Sequence, residues 1–120
     1  MPVSNIQEYT GTPDLETIMA HHPFLLKVYT DHCPLCKILD SKIQALATLR
    51  KDINIVNLNG QMYPVPIKHL GIRSVPKLYL CVRTKTNDHF FEFVGSPVAT
   101  TPEKIAEFYD TMLHQNPLKD

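Results

Sequence analysis

Phe24-Leu25-Leu26-Lys27-Val28-Tyr29-Thr30-Asp31-His32-Cys33-Pro34-Leu35-Cys36-Lys37 is the stretch on which the reading of this chain turns. It opens on a short, mostly continuous apolar run, the pattern of a central strand buried on both faces. Lys27 interrupts that run. A Cys-x-x-Cys pair follows. From Pro34 to about Leu49 the apolar positions Leu35, Ile38, Leu39, Ile43, Leu46 and Leu49 recur at helical spacing, with Lys37, Asp40, Lys42 and Gln44 on the other side. A strand, a dithiol and a helix therefore come in that order.

This order gives the cysteine spacing a physical reason. With Cys33 at the helix N-cap and Cys36 in the first turn, the two sulfurs can meet in a small ring. Cys33 is expected to stay exposed at the helix end, and Cys36 to face inward. Pro34 falls at the first helical position, where a missing N–H costs nothing. Unpaired amide donors and the helix dipole favour a thiolate on Cys33, lowering its pKa below the free value of about 8.5. Such a thiolate attacks a disulfide, and Cys36 then resolves the mixed disulfide. Two other readings stand beside this one. The pair could be half a zinc site, although no second Cys-x-x-Cys is present, His32 is not at ligand spacing, and His69 and His89 are remote in sequence. It could also be two structural cysteines.

Reading outward, Ile6 to Tyr9 suggests a short strand. Thr12-Pro13-Asp14-Leu15-Glu16 reads as a helix start with Thr12 as N-cap, and His21-His22-Pro23 ends that helix. Ile53, Ile55, Val56 and Leu58 make a strand. Pro64 and Pro66 limit the next segment to a short helix around Val65 to Leu70. Leu78 to Val82 and Phe90 to Val94 are two strands around a polar turn ending in Asn87-Asp88, an antiparallel hairpin. Thr100 and Glu103 are spaced as a capping box for a last helix that buries Ile105, Phe108, Tyr109, Met112 and Leu113. Residues 115–120 form a frayed tail. The order β-α-β-α-β-α-β-β-α predicts an α/β fold: a mixed central sheet with helices on both faces.

The chain has 120 residues, which favours one domain over 1–120 with its core at about 6–114. Lys plus Arg equals Asp plus Glu at 12 each, which argues against nucleic-acid and membrane-surface binding. No apolar run approaches the roughly 18–20 residues that span a bilayer. The N-terminus has neither the basic nor the apolar region of a signal peptide, so the expected location is cytoplasmic. Three cysteines is an odd number, unlike a secreted disulfide scaffold. In a reducing compartment, the pair is more readily catalytic or metal-binding than a structural staple. Cys81, in mid-strand, reads as a small core residue. Tyr29 and Tyr63 read as ordinary packing near the groove.

Further motifs make the comparison specific. Gly71-Ile72-Arg73-Ser74-Val75-Pro76-Lys77-Leu78 precedes a strand, and Phe93-Val94-Gly95 closes the hairpin. With Cys33-Pro34-Leu35-Cys36, these segments resemble the thioredoxin family over nearly the whole chain. The resemblance implies the thioredoxin fold and thiol–disulfide exchange, with Cys33 as nucleophile and Cys36 as resolving thiol. It implies a cis bond at Pro76 that packs beside the dithiol and keeps metals away from it. Val75 would then offer its backbone to an extended substrate, and Gly95 would line the same groove. No cofactor is expected. Disulfide-containing proteins are the expected substrates of a monomer. Electrons would come from an external reductant, a thioredoxin reductase-like enzyme or glutathione, because no Gly-rich dinucleotide motif is present.

The sequence also departs from the family. His32 stands where thioredoxins usually carry Trp, and Pro34-Leu35 where they carry Gly-Pro. Cys-Pro-x-Cys is more like glutaredoxins, though no glutathione pocket is evident. Lys27 aligns with a buried acid of thioredoxins that is thought to take the proton of the buried cysteine, and Asn57 aligns with that acid's lysine partner. A lysine near the dithiol, and a protonated His32, would instead stabilise thiolate. The expected consequence is a reduction potential above the thioredoxin value of about −270 mV. Alternatively, Lys27 snorkels to the sheet end with its charge in water. These departures sustain a rival from another class: a thioredoxin-fold protein-binding subunit with little redox activity.

Overall fold

The computed structural model describes residues 5–11, 23–83, 88–93 and 95–116. The helix expected from Thr12 to His22 lies outside these residues, as do Asn87, Val94 and the last part of the tail. Five strands are described: β1 (Ile6–Glu8), β2 (Phe24–Tyr29), β3 (Ile55–Asn59), β4 (Lys77–Arg83) and β5 (Asp88–Glu92). Among the described residues the helices are α1 (Pro34–Leu49), α2 (Pro64–Leu70) and α3 (Pro102–Gln115).

The strands form one mixed sheet in the order β1-β3-β2-β4-β5. β1 and β2 both run parallel to β3, while β4 runs antiparallel to β2 and to β5. β2 is thus the middle strand, and its near-continuous apolar sequence follows from burial on both faces. Alternation along it sends Phe24, Leu26 and Val28 one way and Leu25 and Lys27 the other. Leu25 joins Leu39, Ile43 and Leu46 of α1 and Ile105 and Tyr109 of α3 in one core. Leu26 and Val28 join Val56, Leu58 and Cys81 in a second core, against which Ile67 and Leu70 of α2 pack. Helices cover both faces, as the element order predicts.

Several boundaries differ from the sequence reading by one or two residues: β1 ends at Glu8 rather than Tyr9, β4 runs one residue further at each end, β5 ends at Glu92, and α3 takes in Gln115, read as part of the tail. β5 begins at Asp88 rather than Phe90, because Asp88 pairs with Arg83 across the hairpin, with Nε–Oδ1 at 2.7 Å. β3 begins at Ile55 rather than Ile53, which is nonetheless fully buried. The Thr100–Glu103 capping box does not form. Pro102 occupies the first turn, so the cap falls on the residue before it. Thr101 accepts from the Lys104 N–H at 3.2 Å. Thr100 is instead buried, and its carbonyl accepts from Lys42 Nζ at 2.7 Å.

Glycine is required where α2 ends. Gly71 is left-handed at φ 70°, and its N–H closes the helix on the Lys68 carbonyl at 3.2 Å. This turn redirects the chain toward β4.

Candidate functional site

β2 ends at Tyr29, and the chain turns through Thr30-Asp31-His32 into α1. Polar contacts fix this turn against the loop after β3. Asn59 Nδ2 donates to Asp31 Oδ1 at 3.1 Å, and the Asp31 N–H donates to Gln61 Oε1 at 3.1 Å. The Gly60 N–H donates to the Tyr29 carbonyl at 2.8 Å. Cys33 is the N-cap of α1 and Pro34 opens its first turn, as expected. The Cys33 sulfur accepts from the Cys36 N–H at 3.1 Å.

Cys33 and Cys36 are joined as a disulfide, with Cα atoms 5.2 Å apart. Cys36 faces inward at 4% exposure, as expected. Cys33 was expected to be exposed, but it is only 9% exposed. Its sulfur is turned toward Cys36, bonded to it and capped by its N–H, so little surface is left. His32, Pro34 and Leu35 surround it and are exposed, Leu35 by 51%. Ile38, one turn along from Leu35, is 47% exposed and extends this apolar surface.

The remaining expected residues converge on the same end of the sheet. Val28 pairs with Lys77 in the β2–β4 register, so the Val75-Pro76 segment that leads into β4 lies beside the end of β2. The Val75–Pro76 bond is cis, as the resemblance implied. Tyr79 pairs with Glu92, which brings the end of β5 and the segment holding Gly95 to that end too. Gly95 has φ 91°, which by itself accounts for glycine, and a Cβ there would meet open space.

Lys27 is neither solvated nor left to act alone. It is 3% exposed, so the snorkelling expectation is corrected. Its ammonium pairs with the Asp40 carboxylate of α1 and lies 5.4 Å from the Tyr29 ring centroid. That pairing offsets much of the field Lys27 would exert on the dithiol, which weakens the argument for a raised potential. Lys27 faces α1 because it lies two residues beyond Leu25 on the same face of β2. Asp40 lies one helical turn beyond Cys36. Asn57 is Lys27's register partner on β3. All four line a cavity of about 270 Å3, together with Glu8, Tyr29, Thr30, Asp31 and Lys37.

Sequence reasoning flagged Lys27 and Asn57 but missed Asp40. The available signal was its position: four residues after the inward cysteine, on the same helix face. Tyr29 lines the cavity and donates to Glu8 Oε2 at 2.5 Å. Burial and the nearby Glu8 carboxylate raise its phenol well above the ordinary range. Tyr63 packs edge-on against Tyr9 at 4.9 Å between ring centroids, as ordinary packing. Cys81 is fully buried opposite Phe24, and burial pushes its thiol well up. It is a core residue with little thiolate character. Among the described residues no group of three or more His, Cys, Asp or Glu is placed to hold a metal ion, and no helix is long and apolar enough to cross a membrane.

The fold and the paired cysteines at a helix N-terminus define a thioredoxin-type domain. Residues 7–109 match the thioredoxin family model, and the chain belongs to that family. Comparison with curated protein sequences finds no match. Among solved structures, a thioredoxin of Trichomonas vaginalis superposes with a TM-score of 0.75 at 17% identity, over 90% of this chain and 97% of its own. The Trx4 domain of ERdj5 gives 0.73 at 16% identity, over 90% and 95%. Spinach chloroplast thioredoxin f, in a short form, gives 0.67 at 23% identity, over 88% and 91%. At these identities the structural likeness carries the fold.

Proposed function

We propose that this protein is a thiol–disulfide oxidoreductase that reduces or exchanges protein disulfides through Cys33 and Cys36. The observation that carries this reading is Cys33 at the N-cap of α1, its sulfur bonded to Cys36 and accepting the Cys36 N–H at 3.1 Å. In the reduced protein, the same amide and the helix N-terminus favour a Cys33 thiolate. That thiolate attacks a substrate disulfide and forms a mixed disulfide, releasing one substrate thiolate. Cys36 then attacks the Cys33 sulfur, closing the internal disulfide and releasing the second substrate thiolate. Val75, Pro76 and Gly95 lie at the same sheet end and are suited to form the wall against which an extended substrate rests. His32, Pro34 and Leu35 border Cys33 and are placed to tune its reactivity. An external reductant, either a reductase or glutathione, returns the pair to the dithiol.

Insulin reduction in the presence of dithiothreitol tests this. Wild-type protein is expected to accelerate it, and Cys33→Ser to fall to the uncatalysed rate. Wild-type protein that fails with both dithiothreitol and glutathione would point instead to a protein-binding subunit.

A further inference from the structure

Cys36 is buried, yet it must carry negative charge when it attacks a mixed disulfide on Cys33, because the thiolate is the nucleophile. Its proton therefore needs an acceptor within the cavity beside it. The groups facing that space are Glu8 from β1, Lys27 and Tyr29 from β2, Asp31 from the turn, Asn57 from β3, and Lys37 and Asp40 from α1. Three are carboxylates. Glu8 accepts from the Tyr29 hydroxyl at 2.5 Å, and Asp31 from Asn59 at 3.1 Å. Asp40 differs from both. It is on the helix of Cys36, one turn on and on the same face. It is also held by an ammonium that is itself 3% exposed. Asn57, opposite Lys27 in the strand register, has a buried Oδ1 with no hydrogen-bond partner. The cavity is polar and, at about 270 Å3, has room for water to carry a proton across it.

We propose that Asp40 accepts the Cys36 proton during resolution of the mixed disulfide, and that Lys27 positions Asp40 for it. This inference rests on the oxidoreductase reading above. In the step, the Cys36 thiol gives its proton to the Asp40 carboxylate through the cavity. The Cys36 sulfur bonds to the Cys33 sulfur, and the bond from Cys33 to the substrate sulfur breaks. The electron pair leaves with the substrate thiolate; the protein dithiol is oxidised and the substrate disulfide reduced. As Asp40 becomes neutral, the Lys27 ammonium is left facing the new thiolate, which it stabilises. Before the transfer the ammonium holds the Asp40 carboxylate in place, and after it the same charge favours the Cys36 thiolate.

Reduced protein mixed with 5,5′-dithiobis(2-nitrobenzoate) reads the two steps separately. The first thionitrobenzoate leaves when Cys33 attacks, the second when Cys36 resolves. Asp40→Asn is expected to leave the first phase unchanged and to slow the second about a hundredfold near neutral pH, the low end of general-base effects of about 10²–10⁴. The second phase should then accelerate only as pH rises through the free-thiol range, about 8.5. Asp40→Glu should recover most of the rate. Asp40→Asn leaves Lys27 buried without its partner, so Lys27→Met/Asp40→Asn serves as the variant with no stranded charge, and should show the same slow second phase. A second phase unchanged in both variants from pH 5 to 9 overturns the proposal, as does equal slowing of both phases. Wild-type protein with no first phase overturns the oxidoreductase reading itself, and this inference with it.

Discussion

Cys36→Ser is expected to convert the protein from a turnover catalyst into a covalent trap. Cys33 remains at the N-cap of α1, where helix amides face its sulfur, so attack on a substrate disulfide survives. The resolving sulfur is gone. In the wild-type chain it sits one helical turn away, bonded to Cys33 with Cα atoms 5.2 Å apart, and acts as an intramolecular reactant. Loss of such proximity removes orders of magnitude in rate, so insulin reduction should fall at least about a hundredfold. Non-reducing electrophoresis should show adducts that disappear with thiol reductant and are absent from Cys33→Ser/Cys36→Ser. Peptide mapping should place every adduct on Cys33. Adducts on Cys81 would contradict its burial in the second core.

The largest structural effect is expected from Leu25→Ala. Leu25 is fully buried in the middle strand, paired with Ile55 on one side and Leu80 on the other, under α1 and α3. Truncation there removes about 3 kcal/mol, a transfer loss plus the cavity left behind. Thermal unfolding should move down by roughly 10 °C. Leu49→Ala is the matched control: the same deletion at a residue that is 64% exposed should change stability by less than about 0.5 kcal/mol. Equal losses at both positions would mean that the β2 core is not the folding core described here.

Much of this architecture was legible because it rests on local pattern. The short, nearly continuous apolar run Phe24–Tyr29 has the pattern of a strand covered on both faces, and it is β2. Cys33 followed by proline announces a helix start, and the cis bond at Pro76 was implied by the family resemblance of its segment. What escaped the sequence depends on contacts between distant residues. Two adjacent threonines precede Pro102, and only the helix start itself chooses Thr101 as the cap. The exposure of Cys33 depends on where its sulfur turns, which helix position alone does not set. Lys27 stood out as a charge inside an apolar strand, but its meaning depended on Asp40, a residue of the helix packed over it. With that carboxylate in place, Lys27 becomes the buried half of an ion pair whose Asp40 carboxylate is partly exposed, rather than an isolated cation. The helix expected from Thr12 to His22 falls outside the described residues, so that expectation stands as the sequence left it.

A redox titration in glutathione buffers, followed by thiol alkylation and mass mapping, tests the central claim most directly. The predicted result is one two-electron transition, about 30 mV per tenfold change in the dithiol–disulfide ratio, between a Cys33/Cys36 dithiol and a Cys33–Cys36 disulfide, with Cys81 a thiol throughout. Cys33 and Cys36 remaining as thiols at every poise, or a disulfide involving Cys81 or a second chain in their place, would contradict it.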